Sequence, residues 1–371
     1  MSAEGTGIES VSPDTGKSMV FLAILGTQAM GDYIMFHLVA ASIARAVPGS
    51  KLVVVFRDDR PYKAFFNSLN PHVTTTLKAN ADPNFVIPLD WFDGETDVSG
   101  RPFGEEWYEQ GFHRPDILLT PSMLDIGKCL WPAPRFQVPS DIVPTLTEAL
   151  MRRGVDKDRW FASVHMREAG YKWRPGSDPL RNVDPETYLP MIADIIQKQG
   201  GQVVRLGDPA MTPLPEMDGL IDLSWDGDSF PEQAFAISRA RYFIGTDSGP
   251  TQLAGAFKTP TASTNALGLG LWNDGDTILF KKYIGPGGNP IERQHLIEIL
   301  PMLGNSRPLE TIIIDNTPKE LRDVAARMYG ATTDCPGWRE DREDGGTYDP
   351  PGTVIMPIEW KDQANIVNLT F

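Results

Sequence analysis

Residues 18–56, SMVFLAILGTQAMGDYIMFHLVAASIARAVPGSKLVVVF, hold the pattern from which the fold is read. The run SMVFLAIL (18–25) is continuously apolar and ends at Gly26, as a strand buried on both faces does. In the loop GTQAMGD (26–32), Gly26 and Gly31 allow close backbone approach, and Asp32 stands at the start of a helical stretch spanning roughly 33–47. Pro48 and Gly49 close that stretch, and KLVVVF (51–56) reads as a second strand. Strand, glycine-bearing loop, helix and strand in about 40 residues make a βαβ unit, because parallel strands need a crossover helix. The loop is not G-x-G-x-x-G, so it is not a dinucleotide fingerprint.

The same alternation returns later in the chain. WFASVHM (160–166), the helix 185–199 and QVVRLG (202–207) form one unit. A helix near 231–239, the strand RYFIGT (241–246), a short helix at 250–257 and the strand PTAST (260–264) continue it. This predicts a second doubly wound domain. Between the two, residues 79–116 are rich in Pro, Gly, Asp and aromatics, either a substrate-facing loop or an aromatic plug over the core. WPAPRFQVPSDIVP (131–144) reads as an extended linker. The expected division is a tail over 1–17, a first domain over 18–140, a second over 141–330, and an acidic tail over 331–371 packing back across both. Near the end, Thr317 caps a helix with Pro318 at its first position and Gly330 past its end.

The 371 residues suit two domains. A net charge of −15 opposes binding to nucleic acid. Cys129 and Cys335 are far apart, which argues against a disulfide framework or a thiolate zinc site, and the five histidines form no ligand pair. No metal site and no resident cofactor are expected. Without an apolar run of membrane-spanning length or a signal peptide, the expected location is cytoplasmic, with peripheral attachment at the inner membrane face left open.

Ligands of open α/β sheets sit beyond the carboxyl ends of the strands, so the loops there carry the candidates. Asp32 reads either as a helix N-cap or as a carboxylate at the cleft edge able to act as general base. HMREAGYKWRPGSDPLRN (165–182) crowds Arg167, Lys172, Arg174 and Arg181 into one loop of an acidic protein, which suits a diphosphate; a solvated basic loop is the alternative. His165 is either a satisfied, half-buried histidine or a ligand contact. GTDSGPTQLAGAF (245–257) is a strand entering a helix through small residues, so Ser248, Gly249 and Thr251 surround either an anion or an ordinary capped helix. Gly207, Asp208, Thr246, Asp247 and Gln252 share that edge. Gly26, Gly31, Trp91 and Asp93 are the candidates of the first domain.

Three segments together resemble the bacterial lipopolysaccharide heptosyltransferases, glycosyltransferases of GT-B fold. These are GDYIMFHLVAASIARAVPGSKLVVV, YKWRPGSDPLRNVDPETYLPMI and ARYFIGTDSGPTQLAGAFKTP, the last matching the family's D-[ST]-G-x-x-H-L-A motif with Gln252 in place of its histidine. The H-x-R of His165 and Arg167 is also similar to that of fucosyltransferases using GDP-fucose. The DNTPKEL stretch resembles a family of bacterial surface-polysaccharide glycosyltransferases. The resemblance implies two Rossmann-like domains facing a cleft, and metal-independent inverting transfer from a nucleotide sugar to the hydroxyl of a glycan, a lipid-linked or a small-molecule acceptor. Asp32 is then the base, and Arg167, Lys172, Arg181 and the 247–251 turn hold the diphosphate. Under the same resemblance, His165, Gly207, Asp208, Thr246 and Gln252 face the donor, and Gly26, Gly31, Trp91 and Asp93 the acceptor. Two rivals use the same fold: a sugar-nucleotide epimerase, which turns over without acceptor, and a non-catalytic nucleotide-sugar-binding protein.

Overall fold

A computed structural model describes residues 19–25, 29–78, 115–120, 123–124, 135–168, 179–226, 229–267, 276–285, 287–291, 312–332, 337–339, 354–355 and 367–368. The first unit runs β1 (Val20–Leu25), α1 (Met30–Arg45), β2 (Lys51–Phe56), α2 (Pro61–Leu69), β3 (Val73–Lys78) and β4 (Ile117–Leu119). Its four strands lie in the order β3-β2-β1-β4, all parallel. Residues 52–56 of β2 are all buried, as the unbroken apolar run requires of a strand covered on both faces.

The second unit opens with α3 (Val143–Arg152), β5 (Phe161–His165), a 3-10 turn at Pro185–Tyr188 leading into α4 (Leu189–Gln197), β6 (Gln202–Leu206) and β7 (Leu220–Asp222). It continues through α5 (Phe230–Arg239), β8 (Tyr242–Thr246), α6 (Gly249–Ala256), β9 (Thr261–Ala266) and β10 (Thr277–Phe280). After these come the antiparallel pair β11 (Lys282–Ile284) and β12 (Ile312–Ile314), then α7 (Pro318–Ala331), β13 (Val354–Ile355) and β14 (Val367–Asn368). The main sheet has the order β14-β13-β10-β9-β8-β5-β6-β7 and is parallel except at β13/β14. In each sheet the first strand is central, with later strands on both sides. The crevices at the carboxyl ends of β1 and β5 are therefore the switch points where α/β sheets receive ligands.

The two sheets share one apolar core, which takes in Phe21 and Phe36 on one side and Phe235, Phe243 and Phe257 on the other. Helices α1 and α6 meet inside it. A Cβ placed on Gly249 would lie 2.7 Å from Met30 Sδ and 2.9 Å from its Cβ, so only glycine permits the approach. This doubly covered position explains why residues 33–42 of α1 are buried all round instead of showing one apolar stripe. The extended segment 135–139 straps the units together: Phe136 N–H donates to Ala256 O and Gln137 N–H to Leu69 O, both at 2.8 Å. His37, fully buried in α1, bonds through Nε2 to Asn67 Oδ1 at 2.8 Å, and that oxygen also accepts from the Tyr33 hydroxyl.

Several boundaries differ from the sequence reading. Helix α1 begins at Met30, with Ala29 as its N-cap, so Asp32 is no cap but an exposed carboxylate within the first turn. The helix starts three residues earlier than the apolar pattern indicates, and the carboxylate still meets the positive end of the helix dipole. Thr317 and Glu320 form a full capping box with Pro318 at the first turn, but α7 runs through Gly330 to Ala331, because Gly330 does not take the positive φ of a helix-ending glycine. The described parts of the C-terminal stretch join the second unit. Trp338 Nε1 donates to Asp156 O at 2.9 Å, Arg339 N–H donates to Arg239 O, and β13 extends the sheet beside β10.

Replacing Gly249 by alanine is expected to lower stability by about 1–3 kcal/mol, the cost of overpacking. Denaturant unfolding of the variant checks it, and an unchanged midpoint would show that α1 and α6 do not meet this closely.

Candidate functional site

Between the switch points lies a cavity of about 530 Å³, lined by both units, in the range of small-molecule sites. From the first unit it receives Gly31 and Asp32 at the head of α1. From the second it receives His165, Arg167, Arg181, Gly207, Asp208, Asp247, Ser248, Gly249 and Gln252. The cavity thus gathers eleven of the residues singled out in the sequence. Thr246 and Thr251 are buried behind the wall and act through the backbone: Thr246 Oγ1 accepts from Arg167 N–H at 3.0 Å, and Thr251 Oγ1 donates to Thr246 O. Lys172, Arg174, Gly26, Trp91 and Asp93, with Asp90 and Asp97 of the same aromatic loop, lie outside the described residues.

The loop carrying Arg167 is anchored from below. Arg205 on β6, fully buried, donates to Glu168 Oε1 at 2.9 Å and to Asp222 Oδ2 at 2.8 Å, and Glu168 Oε2 accepts from Thr212 N–H at 2.8 Å. One carboxylate therefore ties the loop after β5 to the loop after β6. Buried charges are tolerated only when paired and hydrogen-bonded, as these are. Gly207 starts the second loop under Met211, whose Sδ would lie 2.1 Å from a Cβ there. The Gln233 side chain on α5 clasps Gly207 like a strand partner, accepting from its N–H at 3.0 Å and donating to its carbonyl at 2.8 Å.

Arg181 is braced by the turn that precedes α6. Its Nε and a terminal nitrogen both donate to Asp247 O, and the guanidinium lies 3.6 Å from Asp247 Oδ1. The guanidinium is thereby aimed at the cavity beside Ser248 and Gly249. Ser248 caps α6 without a side-chain bond to the helix; Pro250 has no N–H and those of Thr251 and Gln252 donate to Ser248 O, so the helix start brings the Gly249 N–H and its positive dipole end to the same space.

His165 is held in one tautomer by counting protons. Ser248 Oγ lies 3.0 Å from Thr246 O, which can only accept, and 3.0 Å from His165 Nδ1. One hydroxyl proton serves both contacts only if Ser248 donates to the carbonyl and the imidazole donates through Nδ1–H to Ser248 Oγ. Nε2 is then a bare acceptor, on a ring that lines the cavity. Burial, reinforced by the charges of Arg167 and Arg205, lowers the His165 pKa to about 3, so the ring stays neutral.

Sequence reasoning missed the rest of the wall: Met30 and Met35 on α1, Tyr62 and Phe66 on α2, Met211, and Phe230, Gln233, Ala234 and Ile237 on α5, with Leu253 on α6. These read as ordinary core residues, and no spacing in the sequence signals a shared cavity. Among the described residues no group of three or more His, Cys, Asp or Glu side chains is placed to hold a metal ion, and no helix is long and apolar enough to cross a membrane.

No family model matches the sequence, and no curated protein matches it. Solved structures do. A glycosyl transferase family 9 protein from Veillonella parvula superposes with a TM-score of 0.50 at 14% identity, covering 84% of this chain and 97% of that one. The ADP-heptose lipopolysaccharide heptosyltransferase II of E. coli gives 0.48 at 14% identity, covering 84% and 98%. An E. coli heptosyltransferase with ADP-2-deoxy-2-fluoro heptose gives 0.41 at 12% identity, covering 73% and 95%. With its two parallel α/β sheets, the chain has the double Rossmann-like GT-B fold expected from its sequence.

His165, at about 3, and His37, lowered by burial to about 4, both stay neutral in the folded chain at pH values where the unfolded chain, with its ordinary 6.5, takes up protons. Stability therefore falls as pH drops from 6.5 toward 4, by about 1.4 kcal/mol per pH unit for each such group once the unfolded form is protonated. His165→Gln is expected to give a shallower fall than the unaltered chain in urea unfolding between pH 6 and 4. Equal slopes would show that His165 protonates freely in the folded state.

Proposed function

We propose that this protein is a glycosyltransferase that moves a sugar from a nucleotide-sugar donor to an acceptor hydroxyl, with inversion and without a metal. One observation carries the reading: a single cavity joins the Asp32 carboxylate of the first unit to Arg167, Arg181 and the start of α6 in the second. Base and anion site come from different units, so an acceptor and a donor can each be held by one of them. In the proposed division, residues 18–140 serve the acceptor and 141–330 the donor, with Gly26, Trp91 and Asp93 on the acceptor side and Lys172 on the donor side.

The acceptor oxygen attacks the anomeric carbon while its proton passes to Asp32. The bond from that carbon to the diphosphate oxygen breaks, and both of its electrons leave with the nucleoside diphosphate. Attack from the face opposite the leaving group inverts the anomeric centre. Arg167, Arg181 and the backbone donors of the 247–249 turn neutralise the charge that grows on the leaving group, where preorganised donors are worth several kcal/mol. His165 Nε2, as an acceptor, takes a ligand hydroxyl and not a phosphate oxygen.

Calorimetric titration with UDP, GDP, ADP and dTDP should identify one preferred nucleotide. Arg167→Ala is expected to weaken it by about 10- to 100-fold, the loss of a charge-assisted hydrogen bond, and Arg181→Ala by at least as much, since the turn loses its brace as well. Unchanged affinity in both would show the basic residues to be plain surface. With the matching donor and an acceptor, Asp32→Asn should lower kcat by at least about a hundredfold and leave donor affinity intact, because a base acts in the transition state. Turnover that survives this change would place the base elsewhere.

A further inference from the structure

The cavity has two chemistries. Its polar lining comprises the arginines, His165, Asp208 and Asp32, whereas Met35, Tyr62, Phe66, Phe230, Ile237 and Leu253, from four helices of both units, supply an apolar lining. Among those six side chains only Tyr62 has a polar atom. Its ring is 5.3 Å from Phe66 and 5.7 Å from Phe230, so an aromatic cluster in the lining bridges the two units. A nucleobase or sugar in this chamber would leave most of its polar edge unpaired, a desolvation penalty without return. A hydrocarbon or aryl group meets no such penalty.

We propose that this chamber receives an aryl or alkyl group attached to the acceptor, so that the substrate class is an amphipathic alcohol and not a bare sugar. Only the word acceptor rests on the transfer reading above; the chamber's preference for apolar groups does not. Its position also sets the reach of the ligand. Asp32 and Met35 are three residues apart on α1, which makes them neighbours on the helix surface at about 5–6 Å between Cβ atoms. A hydroxyl at Asp32 and an apolar ring at Met35 therefore belong to one molecule if they are separated by about one sugar ring or less. Met35 and Met211 give the wall thioether side chains, which adapt to rings and chains of differing shape.

The test uses the full chain and three probes: methyl, phenyl and 2-naphthyl β-D-glucopyranoside, titrated by ligand-observed NMR. Affinity is expected to rise at least about tenfold from methyl to naphthyl, as apolar area leaves water. Ala234→Leu, which directs a branched side chain from α5 into the chamber, should remove most of that rise. The Met35 methyl resonance should shift with the naphthyl glucoside and stay still with the methyl glucoside, which locates the ring even if the leucine variant fails to fold. Equal affinity for the three probes, a rise that Ala234→Leu leaves intact, or a Met35 resonance that never moves would each overturn the chamber. A parallel nucleoside diphosphate titration separates the two proposals. Nucleotide binding with a flat glucoside series removes the chamber alone, and a steep series without nucleotide binding removes the transfer reading alone.

Discussion

Two helices can bring their backbones together only where a side chain is missing, and at the centre of this molecule the missing side chain is that of Gly249. Its Cα sits against Met30 so closely that a single methyl group would collide with the Met30 stem. At Gly31, which follows Met30, a Cβ would meet Gln252 Cγ at 3.3 Å, a closer fit that the glutamine side chain can relieve by a small shift. The contact sets how far apart the two sheets stand. It also places the first turn of α1, with Asp32, opposite the turn at 247–249, so one packing constraint positions both sides of the cavity. The strap at Phe136 strengthens the arrangement, its ring meeting His37 and Phe257 edge-on from opposite units.

Around that junction the chain buries polar groups that an apolar core would not need. Arg205 lies wholly inside the second unit between Glu168 and Asp222, and Lys63 lies wholly inside the first, 2.8 Å from Asp59. Such pairs add little to stability over well-packed apolar residues, but losing one partner strands a buried charge at a cost of about 3–5 kcal/mol. Their value here is positional. Glu168 is the residue after Arg167, so the ion pair fixes the base of the side chain that faces the cavity. In a chain of net charge −15, the cavity lining still gathers two arginines, Arg167 and Arg181, beside Asp32, Asp208 and Asp247.

The neutral state of His165 follows from the same surroundings. Burial and two neighbouring guanidinium groups exclude the imidazolium, and the Ser248 hydroxyl, committed to the Thr246 carbonyl, selects which nitrogen carries the proton. A histidine in this setting serves as a hydrogen-bond acceptor of fixed direction through the physiological pH range, complementary to the cationic arginines beside it.

The strands β1 and β2 were legible in the sequence because unbroken apolar runs of that length have few other ways to bury themselves, and β5, β6 and β8 because short, largely apolar segments alternate with helical stretches. With them came the two-sheet α/β fold and, from the strand-end rule, most of the polar side of the cavity, including His165, Arg167, Arg181 and the 247–249 turn. Thr317 and Pro318 were legible for a local reason, since a capping box is satisfied within four residues. The start of α1 was not, because Asp32 matches a cap by residue type and only the backbone of Ala29 decides where the helix begins. The apolar wall was hidden altogether. Tyr62, Phe230 and Leu253 belong to three helices far apart in sequence, and each satisfies the pattern of an ordinary core position. Whether such residues close on one another or leave a chamber depends on how near two helices approach, and that distance is settled in three dimensions by the absence of a side chain at Gly249.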